Sequence, residues 1–129
     1  MMIDPNARYL KSHEWVKKWE GEVFLVGLSA YAVKQMGEII YIKLSDIGIR
    51  LEKEDSFGII ESVKTVVEIS TPISGRIVEA NTKISDNPDI LKRDSYGVGW
   101  LIKIEAADLS ELNGLMDAAA YRKFLETEV

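Results

Sequence analysis

The chain has 129 residues, a formal net charge of −5 and a pI of about 4.9. Without a basic run, this balance argues against binding to nucleic acid, whose phosphates demand clustered Lys and Arg. No stretch reaches the roughly 18 apolar residues of a membrane span, and the first residues lack a signal-peptide pattern. The absence of cysteine excludes disulfides and thiolate ligands, and a single histidine argues against a histidine-based metal site.

The first part of the chain predicts a β hairpin followed by a short helix. Residues 1–8 are interpreted as a loose arm. Ser29 is a suitable N-cap because its hydroxyl can accept from free amides of the first turn, and Gly37 supplies a left-handed stop. The elements expected here are strands at 14–17 and 23–27, a turn at 19–22, and a helix at 30–36.

The rest of the chain predicts more strands and a helical tail. Ser110 and Asp117 can each cap a helix, and the apolar residues after them fall at helical spacing. The elements expected are strands at 38–44, 76–80 and 100–104, a turn at 45–48, a long loop at 81–94, and helices at 111–116 and 118–125. The pattern is that of one mainly β domain over residues 1–129, with a helical appendage at 108–126.

Residues 59–69 are the richest β-forming run, because seven of these eleven residues are β-branched. Periodicity alone also fits a helix, but Gly58 before the run and Pro72 after it favour strands. The run is long for one strand. We therefore divide it into two strands joined by a turn at 62–65, which places Lys64 in water at the tip of a hairpin.

A hydrolytic site at Ser12-His13-Glu14 fails on geometry. In an extended segment Ser12 and Glu14 share one face and His13 points to the other, whereas a triad needs the nucleophile and base within hydrogen-bond reach. His13 is interpreted as a partly buried residue among aromatic side chains. Gly97-Val98-Gly99 lacks the strand and helix of a phosphate loop, so no catalytic residue is assigned.

After these exclusions, Lys64 remains as the candidate for a functional role. An exposed lysine on a turn is ordinarily only a solubilising residue. At the apex of a rigid hairpin it is also a suitable attachment point, since an enzyme can recognise the turn and the stem projects its cargo into solvent.

At these residues the chain resembles the H protein family of the glycine cleavage system, over about residues 9–125. The resemblance is carried by short motifs in a specific order: Ser12-His13-Glu14-Trp15-Val16, Val26-Gly27-Leu28-Ser29, Gly37-Glu38-Ile39-Ile40-Tyr41-Ile42, Phe57-Gly58, Glu61-Ser62-Val63-Lys64, Pro72-Ile73-Ser74-Gly75 and Tyr96-Gly97-Val98-Gly99-Trp100-Leu101.

The resemblance implies a barrel-sandwich hybrid, as in lipoyl and biotinyl domains, with a short internal helix and C-terminal helices. It implies lipoic acid in amide linkage on Lys64, with Glu61, Ser62, Val63 and Thr65 forming the recognition turn. Such a carrier is not an enzyme, because the cofactor supplies the chemistry. It shuttles the aminomethyl intermediate of glycine catabolism on a swinging arm.

The partners implied are glycine decarboxylase, aminomethyltransferase, dihydrolipoyl dehydrogenase and a lipoyl-attaching enzyme. The aminomethyl amine should be cationic near pH 7, so a carboxylate could hold it. Glu14 is the main candidate, with Ser12 on the same predicted face and Glu68 as a second carboxylate. The alternative for Glu14 and Glu68 is that both are solvated surface charges.

Some positions depart from the family pattern, which usually has alanine at Thr65 and serine at Val67. Alternatives are therefore an H-like protein acting in lipoate transfer or another pathway, and a non-lipoylated interaction module. A biotin carrier fits less well, because methionines usually flank its lysine. The compartment expected is the cytoplasm for a bacterial chain and the mitochondrial matrix for a eukaryotic one.

Overall fold

Two antiparallel sheets form the body of the protein, which was analysed as a computed structural model that describes residues 2–128. The six-stranded sheet has the order β1-β2-β3-β9-β8-β5 and the three-stranded sheet the order β4-β6-β7. The strands are β1 Arg8–Tyr9, β2 Glu14–Glu20, β3 Val23–Leu28, β4 Ile39–Leu44, β5 Arg50–Leu51, β6 Ser56–Ser62, β7 Val66–Ser70, β8 Gly75–Ala80 and β9 Ile102–Ala106.

Four short α helices and a 3₁₀ helix complete the described part of the chain. They are α1 Ala30–Met36, α2 Thr82–Asp86, α3 Asp89–Arg93, the 3₁₀ helix Leu109–Gly114, and α4 Ala118–Glu126. The expected caps of α1 and α4 are confirmed, since Ser29 accepts from the Ala32 amide and Asp117 from the Ala120 amide. Within residues 2–128, no helix is long and apolar enough to cross a membrane.

The main core combines residues from both sheets. Val26 of β3, Ile77 of β8 and Ile104 of β9 belong to the same buried cluster as Ile42 of β4 and Ile60 of β6. Burying such side chains supplies most of the favourable free energy of folding. A second cluster is aromatic and lies under α4.

The aromatic cluster attaches the C-terminal helix to the sheet. The Tyr9 and Tyr121 rings are stacked with their centroids 4.1 Å apart. Trp15 is fully buried, and its indole N–H donates to the carbonyls of Leu28 and Ser95, each at 3.1 Å. The Tyr121 hydroxyl donates to Ser29 Oγ at 2.7 Å, so α4 also contacts the start of α1.

The expected loop at 81–94 was wrong, because α2 and α3 occupy most of it. Asp86, Asn87 and Pro88 favoured a loop, but they lie only at the junction of two five-residue helices. Ile84 and Leu91 are fully buried in the main core. Tertiary burial therefore overrides the weak local preference.

Other boundaries also differ from expectation. The last strand begins at Ile102 instead of residue 100. The helix expected at 111–116 is the 3₁₀ helix Leu109–Gly114, which Asp108 caps in place of Ser110. The short strand β5, Arg50–Leu51, was not predicted from the sequence.

Residues 2–8 of the expected loose arm make defined contacts with the sheet. Ala7 is buried and Arg8 begins β1. The Asp4 carboxylate pairs with the Lys17 ammonium at 2.6 Å. The interpretation of a loose arm was therefore wrong for residues 2–8, and Met1 lies outside the described residues.

Leu91→Ala should lower the free energy of unfolding by about 2–5 kcal/mol, because it leaves a cavity where α3 enters the core. Val98→Ala is the control, since this side chain is 64% exposed, and it should change stability by less than about 0.5 kcal/mol. Denaturant unfolding of both variants tests this. Equal losses would mean that α3 does not belong to the core.

Candidate functional site

The hairpin of β6 and β7 carries Lys64 at its apex, as the sequence predicted. Ser62 closes the turn, because its amide donates to the Thr65 carbonyl at 2.8 Å. The Ser62 hydroxyl also accepts from the Thr65 amide at 3.1 Å and lies 3.2 Å from the Thr65 carbonyl oxygen. Lys64 is exposed on this turn, so its primary amine is available to another protein.

The tip of the hairpin is held by the junction between α1 and β4. The Val63 amide donates to the Glu38 carbonyl at 3.0 Å. The Lys64 side chain lies beside Gly37, with its Cε and Nζ atoms 3.7 and 3.9 Å from the position that a Cβ atom would take on this glycine. The turn is therefore fixed from outside the hairpin as well as from within it.

Exposed apolar side chains lie on the same hairpin as Lys64 and on the neighbouring strand β4. Val63 and Val66 are 66% and 59% exposed, and Ile40 and Tyr41 of β4 are also exposed. Val66 and Tyr41 each lie opposite Glu61 in the ladder of the three-stranded sheet. An apolar surface beside an exposed amine is typical of a site that another protein contacts.

Glu14 lies at the base of the hairpin and not at its tip. The residue is 2% exposed, and its carboxylate accepts from the Ser70 amide at 2.7 Å and from the Ser12 hydroxyl. Ser70 ends β7, whose five residues span about 13 Å from Val66 at 3.3 Å per residue. Glu14 and Lys64 therefore lie at opposite ends of this strand.

Burial raises the pKa of the Glu14 carboxyl above its ordinary value. The hydrogen bonds from Ser12 and Ser70 act in the opposite direction, and the Glu54 charge adds to the increase. A buried carboxylate of this kind needs its donors, because an unpaired buried charge is costly. The contacts give Glu14 a structural role that the sequence did not predict.

The segment before Glu14 is a tight turn and not an extended strand. The His13 amide donates to the Leu10 carbonyl at 3.0 Å, and His13 has a φ of 82°. Ser12 and Glu14 do contact each other, but through this turn and not through strand alternation. The expected place of His13 among aromatic residues is confirmed, with the Tyr31 ring 5.0 Å away and the Tyr121 hydroxyl 2.8 Å from Nδ1.

Glu68 stands apart from the other carboxylate candidate. It is exposed on β7 opposite Ile59 of β6. Among the described residues, none of the hydrogen bonds or ion pairs joins Glu68 to Ser12 or Glu14. The structure therefore brings Ser12 and Glu14 together and leaves Glu68 in solvent.

Three further residues belong to the site, although sequence reasoning did not assign them to it. Gly37 was interpreted only as the end of a helix, and Glu38 and Ser70 act through their backbone groups. A backbone donor or acceptor leaves no trace in residue type, so no local signal could identify the last two. Across residues 2–128, no group of three or more acidic or histidine side chains could hold a metal ion.

Residues 7–128 match the model of a family described as Glycine cleavage H-protein. The glycine cleavage system H protein of Anaeromyxobacter sp. (strain K) is 41% identical over 128 residues, which cover 99% of each chain. That of Rippkaea orientalis (strain PCC 8801 / RF-1) is 44% identical over 94% of this chain and 92% of the relative. The chain belongs to the glycine cleavage H-protein family.

A solved structure of the family has the same fold. The crystal structure of the H protein from Mycobacterium marinum matches with a TM-score of 0.84 at 29% identity, covering 98% of each chain. The predicted mainly β barrel-sandwich hybrid with short helices is thereby confirmed. As an H protein, the chain is a non-catalytic lipoyl carrier subunit of the glycine cleavage system.

The raised pKa of Glu14 predicts a specific dependence of stability on pH. A carboxyl with a higher pKa in the folded chain stabilises the fold below about pH 4.5, its ordinary pKa, and this contribution is lost as the pH rises through the folded value. Relative to Glu14→Gln, the wild type should therefore gain unfolding free energy as the pH falls from 7 towards 4.5.

Denaturant unfolding at both pH values measures this difference. Glu68→Gln, which removes an exposed carboxylate from β7, controls for the change in net charge. A difference between Glu14→Gln and the wild type that stays constant with pH would contradict the prediction.

Proposed function

We propose that Lys64 is the residue to which lipoic acid is attached, in amide linkage. The observation that carries the proposal is an exposed primary amine at the apex of a hairpin that is hydrogen-bonded within the turn and to the α1–β4 junction. In a chain of the H-protein family, this lysine follows the motif Glu61-Ser62-Val63.

The residues around Lys64 fit such an attachment. The described ion pairs do not include Lys64, and the residue is exposed on the turn. When bound, the lipoyl group supplies a reversible dithiol–disulfide couple. The protein contributes the placement of the amine and a rigid turn beneath it.

The four recognition residues differ in their exposure. Ser62 is 4% exposed and shapes the turn through its hydroxyl. Val63 and Thr65 are exposed on either side of Lys64, and Glu61 is partly exposed one step down β6. We therefore propose that Val63 and Thr65 contact the attaching enzyme directly, while Ser62 holds them in position.

Contact between the aminomethyl cation and Ser12, Glu14 or Glu68 stays a prediction. Both oxygens of Glu14 already accept from donors of this chain. A cation held there would have to displace one of them or share the carboxylate. Glu68 is exposed on β7, so a contact with the cation there would lie in solvent.

The partners proposed are glycine decarboxylase, aminomethyltransferase, dihydrolipoyl dehydrogenase and the lipoyl-attaching enzyme. Membership of the family supports them as a set. The relatives compared above are bacterial, so the cytoplasm is the compartment proposed for this chain. We also propose that residues 1–129 act as one lipoyl-carrier domain.

Incubation with an attaching enzyme and an activated lipoyl donor should add the mass of one lipoyl group. Because the chain has no cysteine, any thiol that appears after reduction must come from that group. Intact mass and thiol titration before and after reduction measure both. Lys64→Arg should abolish the modification, whereas Lys43→Arg, which changes an exposed lysine of β4, should leave it unchanged.

Unmodified wild type, or modification that persists in Lys64→Arg, would contradict attachment at Lys64. The first result would favour a non-lipoylated interaction module.

The lipoylated protein should accept carbon and nitrogen from labelled glycine in the presence of glycine decarboxylase. Mass spectrometry of the intact carrier measures the label, and Lys64→Arg is the control that should accept none. A fully lipoylated protein that acquires no label would point instead to lipoate transfer or another pathway.

A further inference from the structure

Gly37, the residue that ends α1, lies beside the side chain of Lys64. We infer that Gly37 is a positioning residue for lipoyl attachment. Because Gly37 has no side chain, its surface is free to support the stem of unmodified Lys64. This contact presents the amine to the attaching enzyme. The inference rests on the attachment at Lys64 proposed above.

Both the spacing and the backbone conformation at Gly37 bear on the contact. The Lys64 Cε and Nζ atoms lie 3.7 and 3.9 Å from the position of a Cβ atom on Gly37. A methyl group would fit at ordinary van der Waals distance, but a longer side chain would occupy the space of the lysine stem. Gly37 also has φ 72° and ψ −138°, a conformation that is nearly restricted to glycine.

The surface beneath Lys64 is held firmly by the core. Ser29 caps the start of α1, and Val33 and Met36 bury their side chains in the main cluster. The Gly37 amide donates to the Lys34 carbonyl at 3.3 Å. The position of Gly37 is therefore fixed relative to both sheets. A contact with Gly37 consequently also places the Lys64 stem relative to the fold.

The hairpin tip is fixed to the same junction. The Val63 amide donates to the carbonyl of Glu38, the residue after Gly37, at 3.0 Å. The residue before Lys64 and the surface beside Lys64 are thus joined by one hydrogen bond. The start of the Lys64 stem is therefore held at a defined place relative to Gly37.

The charge of unmodified Lys64 favours this contact. Gly37 follows the last turn of α1, where the free carbonyls of a helix carry partial negative charge. An ammonium near them is stabilised, although Lys34 in the same turn opposes it with a like charge. Attachment turns the amine into a neutral amide, so the attraction acts only before modification.

The attachment step shows why the placement matters. The Lys64 ammonium loses a proton to solvent, and the free amine attacks the carbonyl carbon of a lipoyl adenylate. The C–N bond forms as the C–O bond to the phosphate breaks, AMP leaves, and the attacking nitrogen gives a second proton to solvent to become the amide. The rate of such a step depends steeply on how closely the amine is held to its line of attack.

Substitutions at Gly37 and Gly21 separate the contact from backbone strain. Gly21 lies in the β2–β3 turn with φ 55°, and nothing lies within 4 Å of the position that a Cβ atom would take there, so alanine and leucine at Gly21 change backbone strain without touching Lys64. At Gly37, alanine introduces backbone strain only. Leucine introduces the same strain and also displaces the Lys64 stem. Gly37→Asn is a second variant with a longer side chain, and it carries the same backbone strain as the alanine and leucine variants.

The experiment uses the full, unmodified chain with an attaching enzyme and lipoyl adenylate. We expect kcat/KM for attachment to Lys64 to be at least about tenfold lower for Gly37→Leu and Gly37→Asn than for Gly37→Ala. Gly21→Leu and Gly21→Ala should agree within about twofold. Thermal unfolding identifies variants that fail to fold. If Gly37→Leu does not fold, the comparison of Gly37→Asn with Gly37→Ala tests the inference.

A nuclear Overhauser contact between the Lys64 ε protons and the Gly37 α protons tests the geometry without any lipoyl chemistry. It should be present in the unmodified wild type and absent from a Lys64→Ala control. A folded Gly37→Asn variant with the rate of Gly37→Ala, or a wild type without the contact, would overturn the inference. A wild type that shows the contact but accepts no lipoyl group would overturn the proposed attachment itself, and with it the positioning role.

Discussion

The close approach of β6 to β4 is the constraint on which the placement of the hairpin depends. A side chain at Gly58 would collide with the carbonyl oxygen of Lys43, so only glycine allows this spacing. With the two strands in register, Ile42 and Ile60 lie opposite each other and turn into the core. Along β6 and β7 the side chains then alternate between the core and solvent as far as the turn. Lys64 lies in the turn, beyond the last paired residues.

Two hydrogen bonds from other elements fix the two ends of this hairpin. At its base the buried carboxylate of Glu14, from the six-stranded sheet, accepts from the Ser70 amide. At its tip the Val63 amide donates to the Glu38 carbonyl. The hairpin therefore presents the Lys64 amine on a turn that is held at both ends, which suits the proposed attachment of a lipoyl group. A swinging arm gains its movement from the attached group and needs none from the turn.

The sequence predicted elements whose signals are local and missed contacts whose partners are distant. β-Branched residues predicted the two strands of the hairpin, and Ser29 and Gly37 predicted both ends of α1. The two helices between 82 and 93 were missed. The acidic, amide and proline residues there favour a loop, whereas burial of Leu91 in the core stabilises the helical conformation. The partner of Glu14 was also missed, since Ser70 is 56 residues away and acts through its backbone. The position of Lys64 at the apex of the hairpin could be predicted from the β-branched run around it, but the surface beneath it required the fold.

β7 is an edge strand of the three-stranded sheet, and this has a consequence for association between copies. Free amides and carbonyls along an edge can pair with a strand from another molecule and start aggregation. Here the strand has only five residues, Glu68 places a charge near its middle, and the last amide is already bound by Glu14. The buried carboxylate thus blocks one point at which the sheet could be extended. The same contact that supports the hairpin therefore leaves one amide fewer on the open edge of β7.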